Sequence, residues 1–303
     1  MEPLAAARAA IGVGALLVAA RFDVRTRRVP DPLWLALGTA GLLLLTYEIL
    51  GSATDLERIA LVPAAAVLFY AVFFGETLLD ESGLHLRPLR LAGFGLAAAL
   101  IVGSSVVAFR DGDSTGYASL LAVPAMILIY QGFYQVGLIH GGADAKAMIA
   151  LTLLVPTYPS AAPFPLLTLD PRIDAPMRLL FPFSLVVFVD AAILYLVVPL
   201  AFLVLNALRG DLRLPQALFG YRASLDAVPK NTWLMERIDE TGQHVLVLLP
   251  RRGRDPTVEL QRLRDAGHRR AWVQPKIPFM VPLAAGFAVA FFLGNLLGVI
   301  LPR

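Results

Sequence analysis

Three carboxylates stand where an acid is expensive. Asp23 lies in R-F-D-V-R-T-R-R-V-P-D, Asp144 in H-G-G-A-D-A-K, and Asp190 inside F-S-L-V-V-F-V-D-A-A-I-L-Y-L. An ionisable group in lipid costs about 2.5–3.5 kcal/mol on insertion scales, so a carboxylate beside or within an apolar run is a functional candidate by default. Two carboxyl groups brought within a few Å cannot easily both ionise. One can hold a proton while the other takes a proton from water, and together they can hydrolyse a peptide bond. Other hydrolytic chemistries lack their residues. Cysteine is absent, which removes thiol nucleophiles, disulfides and Cys-ligated zinc. His85, His140, His244 and His268 are scattered and form no H-E-x-x-H, and no G-x-S-x-G elbow occurs. The expectation is an enzyme with no cofactor and no metal.

The elements that must position these carboxylates are written in the composition. The 303 residues are 57% hydrophobic and 16% charged, with a mean hydropathy of +0.69, where a water-soluble domain carries about 25% charged residues. This is the composition of a membrane protein. A net charge of +3 is too even a balance to argue for nucleic acid. Eight apolar runs approach the roughly 20 residues that a bilayer crossing requires: Leu4 to Ala20, Leu33 to Leu50, Ile59 to Phe74, Leu91 to Phe109, Ala118 to Ile139, Ala145 to Leu167, Leu179 to Leu208 and Ile277 to Leu301. The fold class expected is mainly α, a polytopic membrane bundle of about eight helices with a small cytoplasmic α+β module.

The first run resembles a secretory signal but has the wrong charge order, because Arg21, Arg25, Arg27 and Arg28 follow it. That favours a permanent helix with its N-terminus outside. The sixth run is apolar without interruption only from Ala145 to Val155, about 16 Å of helix. Pro156, Pro159, Pro163 and Pro165 follow. It either kinks and continues, or dips into the membrane as a half-helix beside a protein-lined cavity. With eight crossings, fifteen basic residues flank the runs on the inner side against six on the outer.

Charge divides the chain into a bundle over 1–208, a water-facing module over 209–276 and a final helix over 277–303. Thirteen basic and eight acidic residues fall between Arg209 and Lys276. Within the module, Trp233 to Asp239 and His244 to Leu249 read as strands joined by a turn over 240–243. Asp255-Pro256 starts a helix with Val258, Leu260 and Leu263 as its apolar stripe, and Gly267 stops it. Arg270 to Val273 reads as a third strand. The module is expected on the cytoplasmic side.

Four predicted crossings separate Asp23 from Asp144. An even number returns the chain to its starting side, so both carboxylates fall at the inner membrane surface. Gly141 and Gly142 lack a Cβ, which permits turns and close approaches before Asp144 where an extended substrate could pass. Plainer readings exist for each residue. Asp23 could be a headgroup-layer residue paired with Arg25 or Arg27, and Asp144 a helix cap. Asp190, near the midplane by position, suits an interhelical hydrogen bond. Lys146, two residues past Asp144, would not share its helical face and is either an interfacial anchor or a tuner of the pair. Glu76, Asp80 and Glu81 form an acidic loop cluster that could attract a basic peptide or be ordinary solvated charge.

With these residues assembled, the chain resembles the type IV prepilin peptidases, and most closely their archaeal branch, the preflagellin (prearchaellin) peptidases, intramembrane aspartyl proteases of the G-x-G-D class. The first signature is matched by Asp23, Arg27, Val29, Pro30 and Asp31. The second, in its G-x-hydrophobic-D form, is matched by Gly141, Gly142, Ala143 and Asp144, with Lys146 behind. W-V-Q-P-K-I-P-F, Trp272 to Phe279, looks like the approach to the last helix in some archaeal members. The resemblance implies that Asp23 and Asp144 are the catalytic pair, with Gly141, Gly142, Ala143 and Lys146 supporting them. It implies removal of the short basic leader from archaellin or type IV pilin-like (class III) precursors at the cytoplasmic face of the cell membrane. Partners would be those precursors and membrane lipids, and not nucleic acid. The run pair between Leu91 and Ile139 reads as an added hairpin relative to smaller relatives. The cysteine-rich region of many bacterial relatives is missing, so no methyltransferase activity is expected. A reading from another class is a proton- or cation-coupled transporter with Asp23, Asp144 and Asp190 as a relay. A third is a non-catalytic assembly subunit that docks through the module.

Overall fold

The computed structural model describes residues 2–52, 55–74, 79–80, 83–84, 88–112, 115–139, 141–159, 161–167, 169–239, 241–248, 250 and 256–300. In chain order the elements are α1 (Pro3–Thr26), α2 (Asp31–Ser52), α3 (Leu56–Phe73), β1 (Leu79–Asp80), β2 (Gly83–Leu84), α4 (Pro88–Asp111), α5 (Thr115–Gln135), α6 (Gly142–Leu154), α7 (Pro171–Leu180), α8 (Phe183–Tyr195) and α9 (Val197–Leu208). They continue as β3 (Tyr221–Ser224), β4 (Thr232–Leu234), β5 (Glu236–Ile238), β6 (His244–Leu246), α10 (Pro256–Asp265), β7 (Arg270–Pro275), α11 (Met280–Ala288), a π turn (Val289–Leu293) and α12 (Leu296–Ile300). Two compact units result, Met1–Ala192 with Pro278–Arg303, and Ile193–Ile277. The expected module over 209–276 falls inside the second.

Among the described residues, six helical stretches are long and apolar enough to cross a membrane: Pro3–Thr26, Asp31–Gly51, Leu56–Phe73, Pro88–Asp111, Gly116–Gln135 and Phe183–Leu208. This is a multi-pass membrane protein. Two of the eight apolar runs do not become single spanning helices. The run from Ala145 ends as helix at Leu154, because Pro156 and the prolines after it cannot supply the amides that a helix needs. Past this point the backbone is satisfied by packing: the amides of Leu166 and Leu167 donate to the carbonyls of Phe292 and Leu293 at 2.9 and 2.8 Å. The last run breaks at Gly294, whose φ of +116° and 2.9 Å clearance from the Leu167 carbonyl at the Cβ position admit only glycine. Irregular backbone at membrane depth is tolerated where it lines protein. Here it borders a cavity of about 120 Å³, with Tyr158, Asp174, Arg178 and Asn295 in its wall.

α6 is the hub of the first unit. Ala147, Met148, Ile149, Ala150, Leu153 and Leu154 are all fully buried. A helix apolar all round belongs inside a bundle. Small residues let its neighbours close in. A Cβ on Gly41 would lie 2.5 Å from the Leu154 amide nitrogen and 2.8 Å from the Leu153 carbonyl oxygen, so α2 crosses α6 backbone to backbone. A Cβ on Gly286 would meet the Ala191 nitrogen at 2.6 Å, a similar approach of α11 to α8.

The second unit is a small α+β fold. β7 is the centre of an antiparallel sheet in the order β3-β7-β4, and β5 pairs with β6 as a hairpin. The single strand expected over 233–239 is broken at Met235, whose amide donates to the Trp272 carbonyl at 2.9 Å while its own carbonyl accepts from Val247 at 2.6 Å. The first half pairs with β7 and the second with β6. Glu236 causes the turn inward: it is buried and accepts the Trp272 amide at 3.2 Å. In α10 the stripe is narrower than expected, with Leu263 buried and Val258 49% exposed. Asp255 lies outside the described residues. Gly267 takes φ +83° and ends the helix as expected. β3 had no counterpart in the sequence reading, since Y-R-A-S lacks an apolar alternation. Asn206, fully buried, ties α9 to the loop before β3 by donating to the carbonyls of Ala217 and Gly220 at 3.0 and 2.7 Å.

Candidate active site

Asp23 occupies the last turns of α1, half-exposed. The chain leaves α1 through Arg27, which takes the left-handed conformation at φ +57° and donates its amide to the Asp23 carbonyl at 3.0 Å. The Thr26 hydroxyl lies 2.9 Å from the carbonyls of both Phe22 and Arg28. Val29 is buried, Pro30 cannot continue the helix, and Asp31 opens α2. The carboxylate of Asp23 has a defined orientation. Its Oδ2 accepts the backbone amide of Met280, the first residue of α11, at 3.1 Å. Amides at a helix start have no partner within the helix and suit an anion.

Asp144 lies in the first turn of α6. It is not the cap. Gly141 holds that position, and its carbonyl accepts the amides of Asp144 and Ala145 at 3.0 and 3.2 Å. The glycines matter for space rather than for unusual backbone: Gly141 has ordinary extended angles, φ −97° and ψ 117°. The Asp144 carboxylate folds back over Gly141, where a Cβ would overlap its Oδ2. A Cβ on Gly142 would sit 3.4 Å from the Tyr134 hydroxyl. Ala143 is half-buried against the core and fills the place of a second motif glycine.

Lys146 does not turn toward Asp144. Its Nζ sits 2.6 Å from the Asp31 carboxylate and 5.7 Å from the centre of the Phe73 ring. The two motifs are thereby joined, because Asp31 ends the first and Lys146 ends the second. Spacing alone did not indicate this pairing.

The relative level of the two aspartates follows from a ladder of contacts. α2 and α6 run parallel, with Asp31 against Lys146 at one end and Gly41 against Leu153 and Leu154 further along. Gly12 of α1 faces Leu154 as well. From that rung, ten residues back along α6 lead to Asp144 and eleven along α1 lead to Asp23, about 15 and 16 Å. Both carboxylates therefore stand at the same end of the bundle and at about the same height. The four spans between them are α2 to α5, the even number that parity requires.

Asp190 is not brought to them. It is fully buried in α8; its Oδ1 accepts the Leu296 amide at 3.2 Å and its Oδ2 has no partner among the described residues. Its neighbour Ala191 packs on Gly286 of α11, six residues or about 9 Å along that helix from Met280, so Asp190 lies deeper in the bundle than the pair. A relay through all three aspartates lacks continuity. Glu76, Glu81, the Asp80 side chain and His140 lie outside the described residues. Among the described residues, no group of three or more His, Asp or Glu stands together to hold a metal ion. The Met280 amide and Tyr134 were invisible to sequence reasoning, since neither a backbone donor nor a tyrosine ten residues before an aspartate forms a motif.

Two comparisons bear on this arrangement. Residues 212–296 match a family model described as Archaeal Peptidase A24 C-terminus Type II. The chain is also 26% identical over 217 residues to a preflagellin peptidase of Methanococcus voltae, an alignment that covers 69% of this chain and 87% of that protein.

Proposed function

We propose, from the similarity to an archaeal peptidase family model and to a preflagellin peptidase, that the chain is a member of the preflagellin peptidase family and an aspartic endopeptidase that removes the basic leader of archaellin or type IV pilin-like precursors. Asp23 and Asp144 are its catalytic pair. The observation that carries the reading is the common height of the two carboxylates, one held by the α11 start and the other folded over Gly141. An extended precursor segment passes along Gly141 and Gly142, with water between the carboxyl groups. The ionised one takes a proton from that water, whose oxygen adds to the scissile carbonyl carbon while the protonated one donates to the carbonyl oxygen. Collapse of the tetrahedral adduct breaks the C–N bond, and the departing nitrogen takes up a proton from the pair. Asp31 and Lys146 hold α2 and α6 in register so that the two motifs keep their spacing. The cleavage face is cytoplasmic, as is the module; the N-terminus is outside, and lipid surrounds the spans.

The test uses the full chain in native membranes and a precursor bearing a basic leader. Asp23→Asn and Asp144→Asn, made separately, each reduce cleavage by about 10³-fold or more, in keeping with loss of a positioned acid or base. Wild-type turnover in either variant overturns the assignment.

A further inference from the structure

Two carboxyl groups supply a base and an acid, yet the carbonyl oxygen that gains charge during attack is better held by more than one fixed donor. Of the backbone donors near Asp144, the amides of Asp144 and Ala145 are taken, because both point to the Gly141 carbonyl. Tyr134 is not occupied. Tyr70, Tyr117, Tyr130 and Tyr158 all place their hydroxyls on protein partners: Thr39, Ser104, Ser184 and the Phe181 carbonyl. The half-buried Tyr134 hydroxyl makes no hydrogen bond among the described residues.

Its position is fixed by the turn that follows. Tyr134 is in the last turn of α5, and the Phe133 carbonyl next to it accepts the amides of both Leu138 and Ile139, at 2.8 and 3.1 Å. Gly137, at φ +77°, allows the reversal. The ring is thus laid on the start of α6, and outside that helix the hydroxyl oxygen comes nearest to where Gly142 would carry a Cβ, at 3.4 Å, with two ring carbons at 3.6 Å. The hydroxyl lies beside the bare backbone of Gly142, two residues from Asp144.

We propose that Tyr134 is a third catalytic residue, whose hydroxyl donates a hydrogen bond to the carbonyl oxygen of the peptide bond being cut. The proposal rests on the aspartic reading above. Glycine at 142 then has a reason: it leaves the hydroxyl open to the substrate.

Steady-state cleavage by the full chain in membranes decides it. Tyr134→Phe lowers kcat by about 100-fold, the size of effect seen on removing one donor to a developing oxyanion, and leaves KM within about twofold, as loss of a group acting only in the transition state requires. An unchanged kcat, or a loss confined to KM, overturns the proposal. Gly142→Ala, which crowds the hydroxyl without altering it, provides a second reading. It lowers kcat in the wild-type background and has no further effect on Tyr134→Phe; fully additive losses overturn the proposal. If Asp144→Asn is inactive while Tyr134→Phe keeps full kcat, the tyrosine is excluded and the pair survives. If Asp144→Asn is active, the pair itself fails.

Discussion

The membrane unit carries acids in two settings, and on the proposed reading they serve opposite purposes. At one end Asp23 and Asp144 are half-exposed at helix termini, level with each other. Deeper in the unit, Asp190 is fully buried and holds the amide of Leu296, while Asp174 is paired with Arg178 at 2.7 Å beside the cavity. By cost of burial alone, Asp190 would be the residue to suspect. Burial is the wrong criterion here. Hydrolysis needs a substrate path and a second acid that can share a proton, whereas Asp190 is fully buried and the acid nearby, Asp174, is held by Arg178. What it has is an orphan amide at the start of a short helix after a chain break, which a carboxyl group can satisfy. On the proposed reading, depth marks the structural acid and paired height the reactive ones.

The strongest way to break this contrast is to remove Asp190. Asp190→Ala leaves the Leu296 amide buried without an acceptor, a loss of about 1–3 kcal/mol of stability, whereas Asp190→Asn keeps an acceptor oxygen and remains near wild type. Both keep precursor cleavage within about threefold once compared at equal amounts of folded protein. Thermal unfolding in detergent measures the first effect and membrane cleavage the second. A collapse of turnover in Asp190→Asn would move Asp190 into the reaction and revive the relay.

A smaller effect is expected at the strut between the motifs. The pair is partly exposed, with Lys146 and Asp31 side chains 29% and 57% accessible, so its contribution to stability is at most about 1 kcal/mol. Its contribution to turnover is larger if it sets the spacing of α2 and α6. Lys146→Met and Asp31→Asn each lower cleavage by about tenfold, and the exchanged pair Asp31→Lys with Lys146→Asp recovers most of it. Failure of the exchange to recover activity while both single variants are impaired would assign the two residues separate roles.

Much of this arrangement was legible from residue types. Parity of the apolar runs gave Asp23 and Asp144 one side, and four spanning helices do lie between them. The prolines after Val155 left a kinked crossing and a half-helix both open, and the helix ends at Leu154. Other features required coordinates for identifiable reasons. Lys146 was assigned by helical periodicity to a different face from Asp144, which is correct, but its partner lies 115 residues away and no local rule reaches it. Gly141 and Gly142 were expected to permit turns and close approaches for a substrate, and the approaches seen are those of a carboxylate and a phenol. The break at Met235 was hidden because both halves of the segment have strand composition, and only the inward turn of Glu236 separates them.

The least effect sharpens the same distinction in water. Asp239, in the turn before β6, accepts the Thr241 hydroxyl at 2.7 Å and the amides of Thr241 and Gln243 at 2.9 and 2.8 Å. These donors, the Thr241 hydroxyl foremost, hold its carboxyl below the ordinary aspartate value. A lowered value in the folded state means stability that is complete above the unfolded value and is lost as pH falls through the folded one. Asp239→Ala should therefore weaken amide protection of the β5–β6 hairpin slightly at neutral pH, with the difference from wild type vanishing in acid, while cleavage stays within about twofold. Hydrogen exchange on the full chain across that pH range reads it directly. A difference that grew on acidification would mean that the carboxyl group is destabilised rather than held by its turn, and a fall in cleavage would mean that a capping acid had been mistaken for an inert one.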